Sequence, residues 1–205
     1  MAEGERILVL GIGNILWADE GFGVRAVERL RDGWDLPARV TVLDGGTQGL
    51  YLLPHLEEAD ALIIVDAIDY GLEPGTLRVF RDGDVPAFLG ARKMSLHQTG
   101  FQEVLASARL LGRCPDRLVL VGVQPRTLDD YGGGLTPPVA AQVGPAVDLV
   151  LRLLAEEFAV AATPRAAAPE TADPVSRDAY EAGRPSAEAA CRVGDARVLS
   201  GACGG

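Results

Sequence analysis

No unbroken apolar run in this chain approaches the ~18 residues that a membrane-spanning helix requires, which removes a membrane-embedded protein from consideration. The first residues, Met1 to Arg6, lack the basic flank and apolar stretch of a secretory signal. Basic charge is in short supply: 19 Lys and Arg against 29 Asp and Glu leave a formal net charge of −10. A nucleic-acid-binding surface is thereby excluded. Cysteine is also scarce. Three residues (Cys114, Cys191, Cys203), without CxxC spacing, give neither a disulfide framework nor a zinc site. A reduced, cytoplasmic protein is expected. Aromatics make up 5% of the chain against 48% apolar residues overall, which suits an aliphatic α/β core.

A third glycine is missing where a dinucleotide fingerprint would need one. Ile7 to Leu10 is a short apolar run suited to a strand buried on both faces. Gly11 and Gly13 follow, but position 16 of the Gly-x-Gly-x-x-Gly pattern is Leu16. The loop then carries two adjacent acids, Asp19 and Glu20, before a helix whose apolar face is Val24, Val27 and Leu30. Carboxylates beside a phosphate repel it, and a metal cation is attracted instead. The segment reads as strand, glycine turn, acidic loop, helix, at the kind of sheet edge where α/β proteins bind ligands.

What is present is alternation of strand and helix. Arg39–Leu43 reads as a strand ending in Asp44-Gly45-Gly46-Thr47, with Thr47 as cap of a helix from Gly49 to about Glu58. Pro54 should kink that helix or leave it a short first segment. Ala61–Val65 is the most apolar run and the expected central strand, followed at once by Asp66. Thr76–Phe80 alternates and suits an edge or antiparallel strand. Val85–Leu89 is short helix or irregular. Thr99 and Gln102 have capping-box spacing ahead of the stripe Phe101, Val104, Leu105, Ala108, Leu111, which Gly112 ends. Arg117–Val123 is the last clear strand, stopped at Gln124-Pro125. The Asp- and Gly-rich loop Arg126–Leu135 is expected to be mobile, and Thr136 and Pro137 to open one final long helix. From about Ala161 the composition turns to Pro, Ala and charge, so residues 159–205 are expected to form a disordered tail behind a domain of residues 1–158. The expected architecture is a three-layer α/β/α sandwich around a mostly parallel twisted sheet with one edge or antiparallel strand.

If the first and third strands are neighbours, as in many doubly wound sheets, three polar side chains should open on one edge of such a sheet. Glu20 follows the first strand, Asp66 the third, and His97 stands in the loop just ahead of a helix. Taken singly, each has an ordinary role as dipole partner, turn binder or structural imidazole. Together, two carboxylates and an imidazole make a ligand set for a divalent first-row metal, with positions left for water or substrate. The other histidine, His55, is expected on the surface beside Glu57 and Glu58. Neither Cys114 nor Ser95 stands in a pattern that would make it a nucleophile.

Five blocks in order, GIGNILWADEGFGV, DGGTQGLYLL, LIIVDAIDYGLEPGT, KMSLHQTGFQEVL and LVLVGVQP, resemble the hydrogenase maturation endopeptidases. The resemblance covers about Arg6 to Phe158. It implies a protease that removes the C-terminal extension of the nickel–iron hydrogenase large-subunit precursor after nickel insertion, the precursor's nickel serving as recognition element. Other divalent metals could substitute for nickel. Carried over, the nickel-sensing and catalytic residues are Glu20, Asp66 and His97; Asp19, next to Glu20, is the one ambiguity, and the register of the motif favours Glu20. Asp44 to Thr47 would shape the same cleft. Alternatives that share parts of this pattern are a non-catalytic nickel-binding maturation chaperone, a nucleotide-binding oxidoreductase and a related metal-dependent hydrolase with another substrate.

Overall fold

A computed structural model describes residues 4–85, 96–128 and 130–165, with the backbone alone for residues 96–100. The strands are β1 (Ile7–Ile12), β2 (Trp34–Asp35), β3 (Val40–Gly46), β4 (Ala61–Ala67), β5 (Leu77–Arg81), β6 (Arg117–Val123) and β7 (Thr163–Pro164). The α-helices are α1 (Phe22–Gly33), α2 (Leu53–Glu57), α3 (Leu96–Leu110), α4 (Pro137–Ala140) and α5 (Val143–Phe158).

The five-stranded sheet has the order β3-β1-β4-β6-β5. The pairs β1–β3, β1–β4 and β4–β6 are parallel, and β5 lies antiparallel on the edge. This is the expected mixed, mostly parallel sheet, with β4 at its centre and β1 beside it. Side-chain alternation divides the apolar residues between two layers. Val9, Ile63, Val65, Val119 and Val121 meet Val27 and Leu30 of α1 and Val147, Val150 and Leu154 of α5. Leu10, Leu62, Ile64, Leu118 and Leu120 meet Leu52 just ahead of α2, Leu56 of α2 and Phe101, Val104, Leu105 of α3. Each such fully buried aliphatic side chain contributes about 1.5–3 kcal/mol. Pro137–Phe158 is long and apolar enough by length and composition to cross a membrane. Its apolar stripe, however, packs on the sheet as a core helix does.

Several local expectations are corrected by side chains that found other partners. The helix after β3 opens as a 3-10 turn, Gly49–Leu52, with Gln48 rather than Thr47 at its N-cap and no side-chain cap bond. Pro54 falls in the first turn of the short α2, where its missing N–H is harmless. α3 begins at Leu96, so Thr99 lies inside it and is not an N-cap. The last helix is broken at Ala141-Gln142, because Pro145 cannot donate to the preceding turn and forces a restart as α5. The chain also continues in order past Phe158: Val160 is buried, and β7 pairs antiparallel with β2. The expected boundary at residue 158 thus falls ahead of the last described strand. Residues 86–95, Asp129 and residues 166–205 lie outside the described residues, and with them Ser95, most of the Val85–Leu89 segment and nearly all of the expected tail.

Candidate active site

β1 and β4 are hydrogen-bonded neighbours, so the loops leaving their carboxyl ends start side by side. Glu20 sits in the 3-10 turn Ala18–Gly21 that follows β1, and this turn packs against β4. Asp66 is the penultimate residue of β4 and completely buried; its Oδ1 accepts the Ala67 N–H at 2.7 Å. Glu20 is buried to 8% exposure, as unusual for a carboxylate as Asp66. Asp66 lies on the face of β4 that carries Leu62 and Ile64, the layer covered by α3. His97 occupies the first turn of α3, not the loop ahead of it. α3 runs back toward the start of β6 and packs on the turn Gly49–Leu52 beyond β3, which assigns its first turn to the same edge of the sheet. The side chain of His97 lies outside the described residues. Among the described residues no three His, Cys, Asp or Glu side chains form a metal-binding group.

Why glycine recurs in the first loop is explained by how close the backbones come. Gly13 has φ +136°, and a methyl group there would overlap the Glu20 carbonyl. The turn that carries Glu20 is therefore folded directly back on the glycines ending β1. Ala18 holds a left-handed φ of 39°, so the backbone immediately before the acidic pair is strained.

Asp19, the sequence neighbour of Glu20, holds a distant loop. Asp19 is fully buried, and its Oδ2 accepts the N–H groups of Arg126 (2.8 Å) and Thr127 (3.1 Å) and the Thr136 hydroxyl (3.0 Å). Its Oδ1 accepts the Thr136 N–H at 2.7 Å. Both oxygens are thus committed to holding the 126–136 loop, and the Thr136 hydroxyl serves Asp19 instead of capping α4. That loop, expected to be mobile, is pinned along its described length. Gly132 N–H donates to Leu16 O (2.6 Å), Ala18 N–H to Gly133 O (2.9 Å), and Tyr131 meets Trp17 edge-on with centroids 5.3 Å apart. Asp19→Asn turns one acceptor into a donor facing N–H groups and should cost about 2 kcal/mol of stability. Denaturant unfolding measures that loss, and limited proteolysis should show the 126–136 loop cut first.

Two further residues at this edge were not singled out as site residues from sequence. Gln124 is buried, and its Oε1 accepts the Tyr70 N–H (2.7 Å) and Leu72 N–H (3.1 Å). Its Nε2 donates to Asp69 Oδ1 (3.0 Å) and the Pro125 carbonyl (3.1 Å). It fastens the loop after β4 to the loop after β6. Tyr70 places its hydroxyl directly over Gly122, which is paired with Asp66 in the sheet, and a methyl group on Gly122 would overlap that hydroxyl. Burial, and after it the Asp66 carboxylate, hold the Tyr70 phenol protonated far above the ordinary tyrosine value. The partners of Asp19 are more than 100 positions away in the chain, so no local pattern pointed to its role in holding the 126–136 loop. The two other candidates fall elsewhere. His55 is exposed, as expected, and Cys114 precedes β6 at the opposite, amino-terminal edge.

The structure defines an α/β protein with a mixed, mostly parallel five-stranded sheet and two buried carboxylates at one edge of it, Glu20 in the turn after β1 and Asp66 near the end of β4. A family profile described as hydrogenase maturation protease matches residues 24–153, which include Asp66 and His97 and begin just after Glu20. The chain is 58% identical over 200 residues to the hydrogenase expression/formation protein HupD of Rhodobacter capsulatus, covering 97% of this chain and 95% of that one. Among solved structures, the hydrogenase maturating endopeptidase HybD of Escherichia coli superposes with a TM-score of 0.73 at 48% identity, over 78% of this chain and 98% of its own. The NiFe hydrogenase maturation protease HybD of Thermococcus kodakarensis gives a TM-score of 0.58 at 28% identity, over 72% and 98%. The chain belongs to the hydrogenase maturation protease family, and it is an endopeptidase of that family. The Rhodobacter alignment extends through most of the segment beyond Phe158, so a C-terminal extension of this length is shared with that relative.

Proposed function

We propose that this endopeptidase removes the C-terminal extension of the nickel–iron hydrogenase large-subunit precursor once nickel has been inserted, and that the metal arrives with the substrate. Glu20 and Asp66 would offer it carboxylate oxygens and His97 an imidazole nitrogen, completing the coordination begun by the precursor. Nickel held by these residues would supply Lewis acidity to the hydrolysis. The protein's part is to fix the geometry, by Asp19 holding the Glu20 turn and by the sheet holding Asp66, so that the bond to be cut lies beside the ion.

The observation that carries this reading is the pair of buried carboxylates at one edge of the sheet, Glu20 in the turn after β1 and Asp66 near the end of β4, beside an Asp19 that is committed to the 126–136 loop. Cys114 is on the wrong edge to serve as nucleophile, which favours water as the attacking group. The three cysteines without metal-binding spacing fit a reducing compartment, and we place the reaction in the cytoplasm.

Incubation of the purified chain with nickel-loaded precursor, followed by mass spectrometry, should show the large subunit shortened and one C-terminal peptide released. Nickel-dependent association without any released peptide would instead describe a chaperone.

A further inference from the structure

The cavity at the carboxyl-terminal edge that is separate from the carboxylates has a volume of about 460 Å³, inside the range of real ligand pockets. One wall is the loop after β4, with Asp69, Leu72 and Pro74; the other is the start of the loop after β6, with Pro125, Arg126 and Leu128. Both walls are continuous with the site. The first begins three positions beyond Asp66. The second is held through the Arg126 and Thr127 amides by Asp19, the residue next to Glu20. The Gln124 side chain ties the walls together with all four of its hydrogen-bonding capacities used, so the cavity is preformed. By contrast, the cavities beside His55 (about 120 Å³) and Cys114 (about 360 Å³) lie at the amino-terminal ends of the strands, away from both carboxylates.

We infer that this cavity is the subsite for the stretch of precursor adjoining the cleaved bond, taking one apolar side chain of an extended peptide between Leu72, Pro74 and Leu128, with Arg126 facing an acidic group of the same stretch. The inference rests on the proposed processing of the hydrogenase precursor. Its chemistry follows from the lining. Leu72, Pro74 and Leu128 supply apolar contact within a lining that is otherwise polar, with Asp69, Arg126 and Thr127 placed to meet the peptide's polar groups. A cation at the mouth, on a chain of net charge −10, selects for an acidic neighbour.

Two substitutions test it without touching the carboxylates. Leu72→Trp, at a position 38% exposed, fills the cavity from its rim. Arg126→Glu reverses the charge and keeps the backbone N–H that Asp19 needs. With nickel-loaded precursor as substrate, each variant should raise KM by roughly tenfold or more and change kcat little, the pattern of lost uniform binding. Far-ultraviolet circular dichroism should match the wild-type protein. If wild-type protein cuts the precursor and both folded variants cut it with unchanged KM, the subsite is refuted. If wild-type protein leaves the precursor whole, it is the processing reaction itself that falls.

Discussion

Asp66→Asn should leave the precursor uncut, with the processing rate down roughly a thousandfold, the several kcal/mol expected of a group that helps a metal polarise its substrate. The substitution is close to isosteric. The carboxamide oxygen can still accept the Ala67 N–H that Oδ1 accepts now, so β4 keeps its pairing with β1 and β6. What disappears is a negative charge at a completely buried position. Circular dichroism and thermal unfolding should stay near wild type while mass spectrometry finds no released peptide. Glu20→Gln and His97→Ala should act in the same direction. Because the three would serve one ion, the Glu20→Gln/Asp66→Asn double variant should be scarcely worse than either single one. Processing by Asp66→Asn within a few-fold of wild type would remove this aspartate from the reaction.

Gly23→Ala should cost more than about 3 kcal/mol, a large part of the ~5–15 kcal/mol that holds a domain folded. Alanine is the better helix former by about 1 kcal/mol, and Gly23 is the second residue of α1. Packing opposes that preference and wins. The added methyl group would overlap the carbonyl oxygens of Val65 and Ile12, atoms of two paired strands that cannot withdraw without opening the sheet beneath the site. At Gly33, the other end of the same helix, an added methyl group would meet nothing within 4 Å. Gly33→Ala should therefore be neutral or stabilising by up to about 1 kcal/mol. Urea unfolding of the pair separates the two effects, and equal stability for both variants would contradict the close packing of α1 on β1 and β4.

The strands were legible because apolar runs such as Ala61–Val65 and Arg117–Val123 have one physical meaning in a chain with this composition: both faces are covered. The antiparallel edge was legible from the alternation of Leu77 and Val79 with Arg78 and Phe80, of which Arg78 is exposed and Phe80 packs on the other layer. Helix starts were read less well. Thr47, Thr99 and Thr136 all look like caps locally, yet none caps its helix in the expected way. Thr136 shows the cause most plainly, for its hydroxyl is taken by Asp19 from 117 positions away. No local pattern carries that information. The same contact is what turns the Asp- and Gly-rich loop from a segment expected to be mobile into a fixed wall. Glu20 and Asp66 could be placed on one edge from strand order alone, since the end of β1 and the end of β4 must adjoin once those strands pair. The commitment of Asp19 to the 126–136 loop, and the tie made by Gln124, required the tertiary contacts.

The central claim is that this edge meets the precursor through its metal, and the most direct test is the affinity of the protein for uncut precursor with and without nickel. Titration calorimetry or surface plasmon resonance under conditions that prevent cleavage should give tighter binding to the nickel-loaded form by about tenfold or more. That advantage should vanish in the Glu20→Gln/Asp66→Asn variant. Equal affinity for the two forms, or a nickel advantage that survives the loss of both carboxylates, would mean the ion is recognised elsewhere.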